Sequence, residues 1–152
     1  MAILKTSYHN NIPNLEDEPR ILINVSNAAF HRRIDYHLKG LAPPWDLVKW
    51  WKEEWASTPD GKDKEKEWKR FRTTYLDHLM TSDYAANHLK IIVNMLESRE
   101  GTIYLLCWEK DEKYCHRTIL KEYVQQCYED KLKDDSWDPM NDPMIYGNWG
   151  AK

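Results

Sequence analysis

A chain of 152 residues, 41% hydrophobic and 31% charged, suits one soluble domain with a single core and no staples. Its formal net charge of −3 gives no general attraction to nucleic acid or to an anionic membrane, so any nucleic-acid contact has to be local. No apolar run approaches membrane-spanning length, the opening Met1 to Ser7 is too short for a signal-peptide core, and three cysteines without framework spacing point to a reducing compartment, so a cytoplasmic protein without membrane contact is expected, in a bacterium, an archaeon or a phage-infected cell.

Residues 2–8 read as a first strand, and the turn-rich HNNIPNLEDEP of 9–19 as a loop. Arg20 to Asn24 reads as a second, buried strand, ending at Val25-Ser26-Asn27. Ligands of open parallel sheets collect at the carboxyl ends of strands, which makes Asn24, Ser26 and Asn27 candidates for the rim of a cleft. His31-Arg32-Arg33 is a local basic patch, read as a solvated face before a phosphate site, and His9 and His37 have no partner that sequence can assign. Pro44 suits the first turn of a helix with Leu47, Val48, Trp51 and Trp55 as its stripe. STPDGKDK, residues 57–64, is a breaker-rich loop.

A second helix is expected over 65–80, with Trp68, Phe71, Tyr75, Leu76 and Leu79 on one face. Arg70 and Arg72 sit on its wet side, Arg72 being a secondary candidate for an anion. Thr81 or Ser82 caps a third helix whose face is Ala85, Leu89, Ile92, Val93 and Leu96, with His88 beside it in a structural role. Thr102 to Trp108 carries no charge and no alternation, as a strand covered on both faces does. After the charged Glu109 to Lys113, a helix opens on Cys115-His116-Arg117, with His116, Ile119, Leu120, Tyr123, Val124 and Cys127 on one face. The fold class is therefore α/β: a small, mostly parallel sheet with helices packed around it and right-handed crossovers. The domain spans 1–128, and 129–152 is an aperiodic tail carrying Trp137, Tyr146 and Trp149.

The strand–loop–helix junction carries the chemistry. Free N–H groups at a helix start favour anions and lower a thiol pKa. Cys115 is the candidate nucleophile or redox thiol, and His116 its acid/base partner. Glu109 is the orienting carboxylate, with Asp111 beside it in a binding or acid/base role. Arg117 offers a planar fork to a phosphate or carboxylate. The plain alternative is a core histidine at 116 and packing thiols at 107 and 127. Cys107, Cys115 and His116 match no standard zinc spacing, so no metal and no cofactor is expected. Lys121, six residues after Cys115, stands where a cysteine phosphatase needs arginine.

Leu105-Leu106-Cys107-x-Glu109 with Cys115-His116-Arg117 resembles the signature of longer members of the family called domain of unknown function 488. Arg20-Ile21-Leu22-Ile23, the segment Leu41 to Trp51 and the segment Trp68 to Leu79 resemble the family's short, YeaO-like branch. Asn24 and Val25 stand where that branch has Asp and Arg, and His78 where it has an acid, so no role is carried over there. The resemblance covers roughly the first five-sixths of the chain and implies a compact α/β domain with a suspected enzymatic site and no agreed substrate.

The reading that follows is a hydrolase or group transferase for a small anionic or nucleotide-like ligand. No glycine-rich dinucleotide loop exists to support hydride chemistry. Two alternatives stay open. One is a non-catalytic interaction module, because eight tryptophans and nine tyrosines suit a partner surface or a homodimer. The other is a nucleic-acid accessory, less favoured, that uses His31 to Arg33 and Arg70/Arg72.

Overall fold

Four strands, Ile3–Tyr8 (β1), Arg20–Asn24 (β2), Tyr36–His37 (β3) and Thr102–Cys107 (β4), form one sheet in the order β1-β4-β2-β3. Every neighbouring pair is parallel. The structure is a computed structural model and describes residues 1–15, 19–28 and 33–139. The charge-free β4 lies between β1 and β2, and all six of its residues are buried.

Side-chain parity along the strands divides the core in two. Leu4, Ile23, Val25, Ile103 and Leu105 face a helical layer. Leu22, Tyr104 and Leu106 face the other way, against Ile12, Leu15 and Ile34. The helices are Trp45–Glu54 (α1), Lys62–Thr81 (α2), Asp83–Ser98 (α3) and His116–Lys133 (α4), and all four contribute to the first cluster. The expected α/β architecture is thus present with its helices on one side. A short 3-10 helix, His9–Asn14, covers the second face where a loop was expected.

The helix starts follow local chemistry. Pro44 is the N-cap of α1, and the Ser82 hydroxyl accepts the Ala85 N–H at 3.2 Å to cap α3. The expected α3 face, Ala85, Leu89, Ile92, Val93 and Leu96, is buried throughout. His88 accepts the Gly40 N–H through Nδ1 at 2.8 Å. Helix α2 begins at Lys62, inside the expected loop, because Lys64 folds back onto the carbonyls of Thr58 and Ala56. Helix α4 runs past the expected boundary at 128 to Lys133, and Trp137 packs against the core. Residues His31, Arg32, Tyr146 and Trp149 lie outside the described residues. Among the described residues no helix is long and apolar enough to cross a membrane.

Gly101 closes the approach between the β2 entry and β4. The Thr102 N–H donates to the Pro19 carbonyl at 3.1 Å, and Gly101 has φ 87°. A Cβ at this position would stand 2.1 Å from the Pro19 oxygen. Backbone cannot yield as a flexible side chain does, and the left-handed conformation adds its own strain. Gly101→Ala is expected to lower unfolding free energy by about 2–4 kcal/mol in urea titration. A loss below about 0.5 kcal/mol would contradict the close approach.

Candidate active site at the end of the central strand

Parity places Cys107 on the same face of β4 as Ile103 and Leu105, toward the helical layer. Cys115 is the N-cap of α4, but its sulfur makes no capping bond. It turns instead to Cys107, and the two Sγ atoms are 2.7 Å apart. Both residues are 1% exposed, and both cysteines are free thiols. Arg117, two residues on, is 3% exposed and reaches the same point. Its Nη1 donates to Cys107 Sγ at 3.1 Å, to the Glu109 carbonyl and, at 3.8 Å, to Cys115 Sγ. Its Nη2 donates to the Lys110 carbonyl at 3.2 Å.

Two touching thiols beside one guanidinium hold one proton between them more readily than two or none. The hydrogen bond from Cys115 and the charge and donors of Arg117 outweigh burial and bring the Cys107 thiol down to about 7. Cys115 moves the other way. The proton it shares toward Cys107, its burial and the negative charge beside it push its thiol far above the ordinary range. The lowered thiol was expected at Cys115, at the helix start; the geometry favours Cys107, whose sulfur is the closer one to Arg117, at 3.1 Å against 3.8 Å.

His116 is not the partner of either thiol. Its Nε2 meets the Val25 carbonyl at 2.8 Å, which fixes the N–H there and leaves Nδ1 as an acceptor. Burial, helped by the Arg117 and Lys52 charges and opposed by the Val25 carbonyl, brings its pKa down to about 4. The ring packs edge-on against the buried Tyr75 at 5.8 Å. The expected Cys115–His116 acid/base pair is therefore replaced by a Cys107–Cys115–Arg117 cluster with a neutral histidine alongside. Arg117, expected to clamp an external anion, is turned inward onto the thiolate.

Two cavities open over this cluster. The larger, about 210 Å³, is walled by Trp51, Trp68, Phe71 and Tyr114, with Lys52 and Lys64 at its sides and Cys115 and His116 at its base. Trp51 meets Trp68 edge-on at 4.7 Å, and Trp68 stacks on Phe71 at 4.5 Å, so the wall is one interlocked aromatic unit. The smaller cavity, about 90 Å³, is lined by Ser26, Asn27, Trp45, Cys107, Trp108 and His116, among others. Lys52 and Glu109 border both and face each other at 3.9 Å.

The remaining candidates separate. Ser26 and Asn27 line the smaller cavity, and Glu109 and Asp111 the larger. Asp111 also accepts the Lys113 N–H at 3.0 Å, as a turn carboxylate does. Asn24 lines neither cavity. By parity it points to the opposite face, where His9 Nε2 lies 3.2 Å from its Oδ1. The same oxygen accepts the Ser26 hydroxyl at 2.7 Å and the Ser26 N–H at 3.0 Å, so Asn24 acts on the cleft through Ser26. His37 Nε2 meets the Ser26 carbonyl at 2.9 Å. Arg70 pairs with Glu67 and Arg72 with Glu122, both outside the two cavities.

Cys107 as the sulfur nearest Arg117, the wall of Trp51, Trp68 and Tyr114, and Lys52 are candidate elements of the site not singled out for it in sequence. Only strand parity, which turns Cys107 toward the helix that starts at Cys115, carried a signal for the first. Among the described residues no group of three or more His, Cys, Asp or Glu side chains is gathered to hold a metal ion.

A family model described as "DUF488-N3a: Active DUF488-N3 subclade" matches residues 7–127. No curated protein and no solved structure matches the chain.

A histidine held neutral in the fold binds fewer protons than its unfolded counterpart between about 4 and the unfolded value of about 6.5. Its contribution to stability is present above that window and is lost as pH falls through it. Stability is expected to drop from pH 6.5 toward pH 4, and His116→Gln, which keeps a donor for Val25, is expected to flatten that slope. Denaturant midpoints at several pH values check this, and an unchanged slope in the variant would count against a half-buried His116 held neutral in the fold.

Proposed function

Since the chain belongs to the DUF488 family, whose model covers residues 7–127, we propose that it is a thiol-dependent enzyme acting where β4 meets α1, α2 and α4. The observation that carries this reading is the Cys107 sulfur, 3.1 Å from the Arg117 guanidinium, which lowers its thiol pKa, and bordering a cavity. A structural cysteine in an apolar core is raised and inert, whereas a thiolate beside a guanidinium is a nucleophile. The word "Active" in the family model's description agrees with it.

The substrate class is an anionic, ring-bearing compound such as a nucleotide. The aromatic wall of Trp51, Trp68, Phe71 and Tyr114 offers a stacking surface, and Lys52 and Lys64 supply positive charge at its edge. Cys107 is the nucleophile in a hydrolysis or group transfer, reached from the smaller cavity past Lys52, Glu109 and His116, which border both cavities, and Cys115 donates to its sulfur. Arg117 stabilises the thiolate instead of the substrate anion. His116 stays neutral and holds a substrate hydroxyl or a water through Nδ1. Glu109, partly exposed at the mouth, serves as proton carrier. Ser26, Asn27 and Asp111 position polar groups of the ligand.

Three thiols free in the fold suit a reducing cytoplasm, where such a nucleophile stays usable. The short, YeaO-like branch remains the proposed placement within the family. A second reading, a binding surface without catalysis, draws support from Trp45, 57% exposed, and the exposed Trp108 at the mouth of the smaller cavity.

Iodoacetamide labelling across pH, read per cysteine by peptide mass, is expected to modify Cys107 with a midpoint near 7 while Cys115 and Cys127 stay unlabelled. Arg117→Gln is expected to move the midpoint up toward about 8.5. In a panel of nucleotides and sugar phosphates, turnover by the native chain should fall at least about 100-fold in Cys107→Ser. Turnover that survives this substitution, or a Cys107 silent until denaturation, removes the enzyme reading and leaves the binding surface.

A further inference from the structure

Cys107 and Cys115 touch each other, yet each opens on a different cavity. Cys107 borders the smaller one beside Ser26 and Asn27, and Cys115 the larger one beneath the aromatic wall. The proposed transfer chemistry uses Cys115 only as a donor to the Cys107 sulfur, 2.7 Å away. A second thiol so placed has a chemistry of its own. We propose that Cys107 and Cys115 are a redox-active pair that a hydroperoxide converts into a disulfide, with Cys107 attacking and Cys115 resolving.

The geometry assigns the roles. Arg117 stands 3.1 Å from Cys107 Sγ and 3.8 Å from Cys115 Sγ, so the negative charge gathers on Cys107. The thiolate, not the thiol, attacks a peroxide. The cavity beside Cys107, about 90 Å³, takes a molecule of the size of hydrogen peroxide or a small organic hydroperoxide. Cys115 keeps its proton and lies already in contact, as a resolving thiol must.

In the first step the Cys107 sulfur bonds to the terminal peroxide oxygen and the O–O bond breaks. The sulfur is oxidised by two electrons to a sulfenic acid. The peroxide is reduced to an alcohol, or to water, after its leaving oxygen takes a proton from solvent. In the second step the Cys115 sulfur attacks Cys107 Sγ. The S–S bond forms, the S–O bond breaks, and the proton of Cys115 leaves with the hydroxyl as water. The product places a disulfide across a loop of only eight residues in sequence separation. So short a loop constrains the unfolded chain less than a long one does.

Oxidation also removes the charge that Arg117 holds. The guanidinium then keeps only the Glu109 and Lys110 carbonyls, and the nucleophile is gone. The pair is therefore an off-switch under peroxide. It uses the sulfurs of the proposed enzyme site but needs no substrate to operate.

The test treats the reduced full chain with equimolar hydrogen peroxide, blocks free thiols, and maps peptides without reduction. The expected product is a Cys107–Cys115 cross-link with Cys127 unmodified, reversed by dithiothreitol. With dimedone present, Cys115→Ser should carry the label on Cys107, and Cys107→Ser should carry none on Cys115. Dimedone on Cys107 of the native chain without a cross-link overturns the proposal, as does oxidation that starts at Cys115 or no oxidation before unfolding. The native-chain arm decides if either variant fails to fold. A chain that forms the cross-link but turns nothing over keeps this inference and loses the enzyme reading. One that turns substrate over but resists cross-linking does the reverse.

Discussion

A guanidinium buried near the end of the central strand is the constraint on which this region depends. Removing such a charge from water costs several kcal/mol unless it is paired and hydrogen-bonded. Arg117 meets that demand with one sulfur of β4 and two carbonyls of the following loop. The carbonyls of Glu109 and Lys110 must turn inward to do so, which sets the path of the loop and brings Cys115 back over Cys107. Its Nε remains without a partner, a cost the fold carries for keeping the charge there. The ionisation of Cys107 is thus a consequence of the loop's path as much as of the thiol itself.

His116 extends the same arrangement to the neighbouring strand. Its hydrogen bond to the Val25 carbonyl joins the start of α4 to the end of β2. Tyr75 lies against its ring, Phe71 against Tyr75, and Trp68 and Trp51 beyond. A continuous aromatic contact therefore runs from the outer wall of the larger cavity to the base of the site. Bulk at that wall and position of the histidine are coupled through packed rings, which transmit displacement because cores are close-packed. At the rim, Lys113 and Asp60 meet at 2.9 Å and fasten the loop before α4 to the loop before α2.

The three longer strands and the four helices were legible because their signals were periodic or uniform. The charge-free run of β4 and the stripe of α3 need no knowledge of neighbours. Strand β3 was not legible, since Tyr36–His37 is too short to carry a pattern and owes its conformation to β2. The site was legible as a place and not as an arrangement. Cys115, His116 and Arg117 do converge on one strand end, but sequence adjacency suggested that they serve one another. Helical geometry sends neighbouring side chains in different directions, so His116 goes to Val25 while Arg117 goes to Cys107. Asn24 misled for the analogous reason in a strand: one step from Val25, it faces the opposite side. A buried arginine has no sequence mark at all, because its partners are main-chain carbonyls and a sulfur.

The strand order has a consequence for how the molecule comes into being. β1 and β2 do not pair with each other; each waits for β4, which leaves the ribosome last. Until about residue 107 has emerged, no sheet larger than the small β2–β3 pairing can assemble, and the early strands expose apolar edges that suit a chaperone. The same late segment then delivers Arg117. A nascent chain holding Cys107 without it has a thiol of ordinary acidity. The acidity that Arg117 confers therefore arrives only with the finished topology.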